Sequence, residues 1–385
     1  MFKFIDKLRL NKLFTAYKIL KNLFLNNYSK YPSYVFDFEH KISKKFRSKY
    51  CLSFANATLG CQTAMKAVGL KNDDKVLISK LCFPSTFLAI LRSGYSPILA
   101  DFDRDLNIIV NEKIFNENLE AFCVSHLFGY PLDLETIKTI RNKFPQIKII
   151  SDCSHIHGAN VDNKNIVNYS DIAVMSLQGA KAISSGEGGV AFTDNINYFN
   201  SMIQLSHPSR KILNKKNFDD YPGFSKIMKA RMHPFGAILA SEDLDNIENK
   251  NKILREKFKI IYSILNETNS IYLPKVNLDH TGGYHYGLPF FITGKKNLVR
   301  KKINFNCLSY NYPKYEFFKE FQSKESYENF VNSDLPLDQN YFNENNMEDL
   351  RDDMFIINLD WIKKNNEKFI ISTLEKFKSS LINDL

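Results

Sequence analysis

The chain has 385 residues, of which 44% are hydrophobic and 24% charged, with a formal net charge of +10; this suits a folded protein with one large and one smaller domain, at roughly 100–200 residues per domain. Residues 1–50 hold twelve Lys or Arg against three Asp or Glu, a net +9, so the rest is nearly neutral and nucleic-acid binding by the main body is not supported. No apolar run reaches the ~18 residues of a bilayer span; the start MFKFIDKLRL lacks the apolar core and cleavage site of a secretory signal, so the expected location is the cytoplasm.

In chain order, residues 2–25 come first. Leu10, Leu13, Phe14, Tyr17, Leu20 and Phe24 recur at helical spacing, with Lys7, Lys12, Lys18 and Lys21 among them, which predicts a basic amphipathic helix. Two uses stay open: its apolar stripe packs on the body or a partner subunit, or the helix lies on an anionic membrane surface. From residue 50 to about 195 the apolar runs KVLIS, SPILADF, AFCVSHLF, IKIISD and DIAVMSL alternate with helical stretches at 58–69, 84–93 and 133–143. That alternation predicts βαβ units and a mainly parallel sheet, whose ligand sites lie outside the strand carboxyl ends. SDCSHIHG and SLQGAK fall at such ends. A long connecting helix is expected over 233–268, then a smaller α/β lobe with strands near 286–292 and 305–309 and a final helix near 361–381. The expected division is an extension at 1–30, a large domain at 31–248, and a linking helix with a small domain at 249–385.

The six cysteines, at 51, 61, 82, 123, 153 and 307, include no CxxC pair and suggest neither a disulfide framework nor a zinc site. The stretch SLQGAKAISSGEGG, residues 176–189, is by itself a glycine-rich turn with Lys181 solvated; it has neither the P-loop order nor a complete dinucleotide fingerprint. Asp152 changes that balance, because a carboxylate ending an apolar strand needs a cation or donors to meet it. His155 and His157 read as hydrogen-bonded core or loop histidines, since metal ligation needs a third ligand that nothing singles out. FANATLGCQTAMKAVGL reads as strand, polar turn and helix, beginning near Thr58. Such a start either holds a phosphate or is simply capped by Thr58.

A phosphate anchor, a strand-end carboxylate and a lysine together meet the needs of pyridoxal 5'-phosphate (PLP) chemistry. Through NATLG, HLFGYPLDL, SDCSHIHGA, SLQGAKAISSGEGG and KARMHP, in that order, the chain resembles the DegT/DnrJ/EryC1/StrS family of fold-type-I sugar aminotransferases. The resemblance runs from about residue 50 to 270 and is only general beyond. It implies a PLP-dependent transfer of an amino group from an amino acid, with glutamate the expected donor, to a nucleotide-linked keto-sugar. It implies a homodimer with sites at the interface. It also implies roles: Lys181 as Schiff-base lysine, Asp152 facing the pyridine nitrogen, and Phe83 stacking on the ring. The backbone at Ala57, Thr58 and Leu59 and the Ser176 hydroxyl would hold the phosphate, with His155 near the ring hydroxyl; Glu187 and its glycines shape the loop.

Two departures stand out. Where many members have Asn reaching the partner's cofactor phosphate, this chain has Lys229; a lysine can still meet a phosphate as a point charge, with a different geometry. The basic N-terminal extension is not required by the family pattern. A sugar dehydratase, which typically has His in place of the lysine, is disfavoured by Lys181. A catalytically silent subunit that binds nucleotide-sugar or PLP at the membrane is the alternative of another class.

Overall fold

The short apolar runs become strands covered on both faces, and helices with an apolar stripe supply the cover. A computed structural model of the chain describes residues 14, 17, 20–21, 32–110, 118–207, 228–292, 308–309 and 354–382. Helix α1 (Pro32–Phe46) leads into β1 (Tyr50–Phe54), α2 (Ala57–Ala67), β2 (Lys75–Ser79), α3 (Pro84–Arg92) and β3 (Ser96–Ala100). Then come β4 (Leu119–Ser125), α4 (Leu134–Lys143), β5 (Lys148–Asp152), the small hairpin β6 (Asn160–Val161) and β7 (Lys164–Asn165), β8 (Ile172–Ser176), β9 (Gly189–Thr193) and α5 (Ile196–Ser206). Seven of these strands form one sheet in the order β1-β9-β8-β5-β4-β2-β3. Within it β9 runs antiparallel to both its neighbours and the other pairings are parallel. The expectation of a mainly parallel sheet between helices is met.

The two-residue period of a strand decides which side each residue serves. In β8, Val174 joins a core under α2 with Phe54, Ala64 and Phe87. Ala173 and Met175 join the opposite core with Val35, Phe38 and Ile42 of α1. Helix α1 was not anticipated, although Val35, Phe38, Ile42 and Phe46, all buried, lie at three-to-four spacing.

Helix α6 (Pro234–Leu265) connects the two lobes over 32 residues. Its Ala237, Ala240, Leu244 and Ile247 pack in the core with α1, and its Leu254, Phe258, Ile261 and Leu265 pack with Phe290, Phe355 and Phe377. The second lobe comprises β10 (Ile271–Tyr272), β11 (Gly287–Ile292), β12 (Leu308–Ser309), β13 (Met354–Asn358), α7 (Leu359–Lys364) and α8 (Glu367–Ile382). The four strands form an antiparallel sheet in the order β10-β11-β13-β12. Strand β13 was not anticipated. Residues 305–307 of the expected strand near 305–309 lie outside the described residues.

The single final helix expected near 361–381 is instead two. Asn365 adopts extended backbone (φ −97°, ψ 146°), and Asn366 Oδ1 accepts from Phe369 N at 3.0 Å to start α8. Lys257 Nζ, from α6, donates to the carbonyls of Ile362, Lys363 and Asn365 at 2.7, 3.2 and 2.7 Å. A cation at a helix carboxyl end satisfies orphan carbonyls and opposes the dipole, so α7 stops there.

Of the N-terminal extension only Phe14, Tyr17, Leu20 and Lys21 are described, all helical. The first three are 59%, 58% and 51% exposed, so these stripe residues are not buried against the body of the protomer. No helix among the described residues is long and apolar enough to cross a membrane.

Candidate active site

Strand register brings the first parts together. Gly189, at the start of β9, pairs with Ser176 at the end of β8 on one side and with Phe54 at the end of β1 on the other. A methyl group on Gly189 would lie 2.6 Å from Ala57 N, so only glycine lets β9 approach the turn that opens α2. Ser176 and the start of α2 are thereby neighbours at one sheet edge. The N-cap is Asn56, not Thr58: Asn56 Oδ1 accepts from Leu59 N at 2.9 Å. That bond occupies one of the N–H groups assigned to a phosphate, and those of Ala57 and Thr58 open the helix, where an α-helix offers no intrahelical acceptor. Ser176 and Thr58 are both half-buried.

Asp152 ends β5 and is 7% exposed. Its cost of burial is met by donors: Thr86 Oγ1 donates to Oδ2 at 2.5 Å and Ser154 N donates to Oδ1 at 3.0 Å. Ser154 Oγ in turn accepts from Ser176 N at 3.1 Å, which ties the ends of β5 and β8. Burial, reinforced by the Asp152 charge, holds the Cys61, Cys123 and Cys153 thiols well above their usual range. Cys51, Cys61, Cys82, Cys123 and Cys153 are buried and form no disulfide among the described residues. Thr86 had not been singled out. It lies three residues after Phe83, the half-buried residue that precedes Pro84 at the start of α3, so its bond to Asp152 places the start of α3 against the end of β5.

Lys181 sits in a turn, its N–H donating to Gln178 O at 2.9 Å. Around it, Ser185 N donates to Leu177 O at 2.7 Å, and Ile183 N to His157 Nδ1 at 3.1 Å. Lys181 is half-buried, and desolvation lowers its ammonium to about 8 against the opposing pull of Asp152. A lysine near 8 carries a larger neutral fraction at neutral pH than an ordinary lysine does.

His155 and His157 are 2% and 1% exposed. Burial first, then the Lys181 charge, lowers both well below the usual imidazole range, so they are neutral side chains beside a cation. No group of His, Cys, Asp or Glu suited to a metal ion occurs among the described residues.

The small lobe contributes a part that sequence reasoning missed. The His155 ring lies 4.6 Å from the His285 ring and 5.2 Å from Tyr286. Gly283 (φ +73°) presses on the same loop: a methyl there would lie 2.5 Å from both His155 O and His157 N. Asn251 of α6 joins the segments, donating to His157 O at 2.8 Å and accepting from Gly283 N at 3.1 Å. Burial and the Lys181 charge lower His285 to about 3. The available signal was the GGYHY cluster itself, two glycines before three ring side chains.

Lys229 is exposed. It sits beside the α2 turn, since Ala230 O accepts from Ala55 N at 2.7 Å, but no described contact joins its side chain to the lysine site. The set as a whole, a desolvated amine, a buried carboxylate, an open helix start and a strand-end hydroxyl, is chemically matched to a phosphorylated aldehyde with a basic ring nitrogen, so PLP fits the residues present.

A parallel-sheet large lobe, a long linking helix and an antiparallel small lobe, with a lysine and a carboxylate at the strand ends, define the fold-type-I aminotransferase class. The crystal structure of a DegT DnrJ EryC1 StrS aminotransferase from Brucella abortus matches 97% of both chains with a TM-score of 0.77 at 16% identity. The model of the DegT/DnrJ/EryC1/StrS aminotransferase family matches residues 16–335, and the chain belongs to that family. It is 25% identical to the GDP-perosamine synthase of Escherichia coli O157:H7 over 57% of this chain, a match spanning about three fifths (61%) of that relative. It is 27% identical to the dTDP-3-amino-3,6-dideoxy-alpha-D-galactopyranose transaminase of Aneurinibacillus thermoaerophilus, over 65% of this chain and 67% of that protein.

Proposed function

We propose that the protein is a PLP-dependent aminotransferase that moves an amino group from an amino acid, glutamate for preference, to a nucleotide-linked keto-sugar. The observation that carries this reading is Lys181, partly desolvated and under the electrostatic pull of the buried Asp152 at the carboxyl end of central strand β5. Ala57, Thr58 and Ser176 would receive the cofactor phosphate, Phe83 its ring face, Asp152 its ring nitrogen and His155 its ring hydroxyl. When bound, the group supplies an electron sink for charge at the carbon that exchanges its amine.

Each residue then has one task. Lys181 Nζ would hold the cofactor between turnovers and would carry a proton to or from the reacting carbon. Asp152, oriented by Thr86 and Ser154, would keep a proton on the ring nitrogen through its negative charge. His155 and His157, held neutral by burial, avoid adding a second and third cation beside Lys181.

The test is borohydride reduction of the protein mixed with PLP, followed by peptide mass mapping. A pyridoxyl group on Lys181 that is absent from Lys181→Ala is expected; no adduct in the native protein removes the aminotransferase reading. Assay of a panel of nucleotide-keto-sugars with glutamate then identifies the acceptor.

Three finer assignments belong to the same proposal. The protein works in the cytoplasm, in synthesis of surface polysaccharide such as O-antigen or of other amino sugars. It works as a homodimer, in which exposed Lys229 reaches the partner's cofactor phosphate, so Lys229→Ala weakens PLP binding in the dimer. Residues 2–25 touch an anionic membrane, supported by the exposure of Phe14, Tyr17 and Leu20 amid basic sequence. Equal liposome co-sedimentation of the full chain and residues 26–385 would remove the membrane contact.

A further inference from the structure

A cavity of about 540 Å³ opens where α7 ends and α8 begins, lined by Lys257 of α6 and by Lys363, Lys364, Asn365, Asn366 and Lys368 of the junction. Glu367 is the one acidic residue at its wall. Lys363, Lys364 and Lys368 form no ion pair with the described residues. Lys257 is fixed, its ammonium spent on three α7 and junction carbonyls. Like charges gathered around a concave wall repel one another, and a multiply charged anion relieves that repulsion.

Helix α7 connects the cavity to the residues around Lys181. Leu359 N, at the start of α7, donates to Tyr286 O at 3.0 Å. The six residues of α7 then span about 9 Å from Tyr286, next to His285, to the lysine wall. Lys363 remains close enough to act electrostatically on His285, whose ring lies against His155. The reacting end of a substrate would lie at His155 and Lys181, and a group about 10 Å further out would lie at the lysines. The start of α2, the proposed cofactor-phosphate position, belongs to the other lobe.

We propose that this lysine cavity binds the diphosphate of the nucleotide-linked sugar, an inference that rests on the reading of Lys181 as the reacting amine. Lysines suit the role, as point charges that accept phosphate oxygens without a fixed fork geometry, and the volume falls within the ~300–1,000 Å³ of small-molecule sites.

The test is calorimetric titration of the full chain in excess PLP with inorganic pyrophosphate and, separately, with UDP, dTDP and GDP, at low and high salt. Pyrophosphate is expected to bind, to weaken as salt rises, and to weaken at least tenfold in the triple variant K363Q/K364Q/K368Q. At least one nucleoside diphosphate is expected to compete with it and to lose at least tenfold in the same variant. The single exposed change Lys364→Glu, which leaves the junction's capping bonds in place, is expected to weaken both by at least threefold. Lys45→Gln, whose residue pairs with Glu248 elsewhere on the surface, is expected to change neither. Absence of pyrophosphate binding, or pyrophosphate bound equally by wild type and both cavity variants, overturns the proposal. So does nucleoside-diphosphate binding insensitive to those variants, because the cavity would then take a free anion alone. These titrations need no turnover: a missing adduct at Lys181 would remove the reaction without touching the anion site, and an adduct with no pyrophosphate response would do the reverse.

Discussion

Residues 152–158 and 282–286 meet at the same rings, but they are held there by opposite means. The first segment is held by what its side chains make: Asp152 accepts from Thr86 and Ser154, and His157 Nδ1 accepts from Ile183. The second is held by what is missing, since Gly282 and Gly283 admit backbone within methyl distance and Asn251 stitches the gap. A chemical segment carries legible residue types; a positioning segment carries glycines whose meaning depends on a surface far away in sequence.

The comparison can be broken from either side. The largest effect is expected from Asp152→Asn, which leaves a side chain of the same shape but cannot hold a proton on a ring nitrogen. Turnover should fall on the order of 100-fold or more while PLP still binds. The same change removes the charge that supports Lys181, so the lysine should titrate below its present value of about 8, read from the pH dependence of its labelling by an amine reagent. Near-normal activity would remove Asp152 from the chemistry.

Gly283→Ala attacks the other side. It forces a side chain into positive φ and against two backbone atoms, and should cost about 3 kcal/mol or more in denaturant unfolding. A loss within a few tenths of a kcal/mol would mean that the two segments are not pressed together.

Asn251→Ala should cost less, about 2 kcal/mol, by leaving the Gly283 N–H and the His157 carbonyl without their buried partner. Its effect should be far smaller in a Gly283→Ala background, because the two changes break one contact.

The smallest effect is graded with pH. Burial lowers His126 and His285 to about 3, and lowers His155 and His157 as well, whereas an unfolded histidine titrates near 6.5. Between those values the unfolded chain binds more protons than the folded one, so stability is full above about 6.5 and falls as pH drops towards 3. The slope is at most about 1.4 kcal/mol per pH unit for each histidine. His285→Gln should flatten the curve of urea midpoints between pH 7 and 4; an unchanged slope would place His285 in solvent.

Much of the large lobe was legible because its determinants are local. Five apolar runs at strand length marked the parallel sheet, and a polar turn before a helix marked the start of α2. Asp152 was singled out by its place at the end of an apolar strand, Lys181 gained weight beside it, and Phe83 and Ser176 came only from the resemblance to the family; register explains why Ser176 lies beside the α2 start. The cap at Asn56 was missed in favour of Thr58, since either type serves at a helix start and only the bond to Leu59 N decides. Asn365 and Asn366 read as part of a helix until Lys257, over a hundred residues earlier, is seen to close the carbonyls of α7.

Sequence alone determined the secondary-structure periods, the order of the chemical motifs and the charge of the N-terminal extension, because each depends on neighbours within a few residues. Only tertiary structure decided that Thr86 meets Asp152 across 66 positions, that residues 282–286 complete the lysine site, and that four lysines face one cavity. The physical reason is that a buried polar group must find its partner wherever packing provides one, and sheet order and the path of α6, not distance along the chain, set where that is.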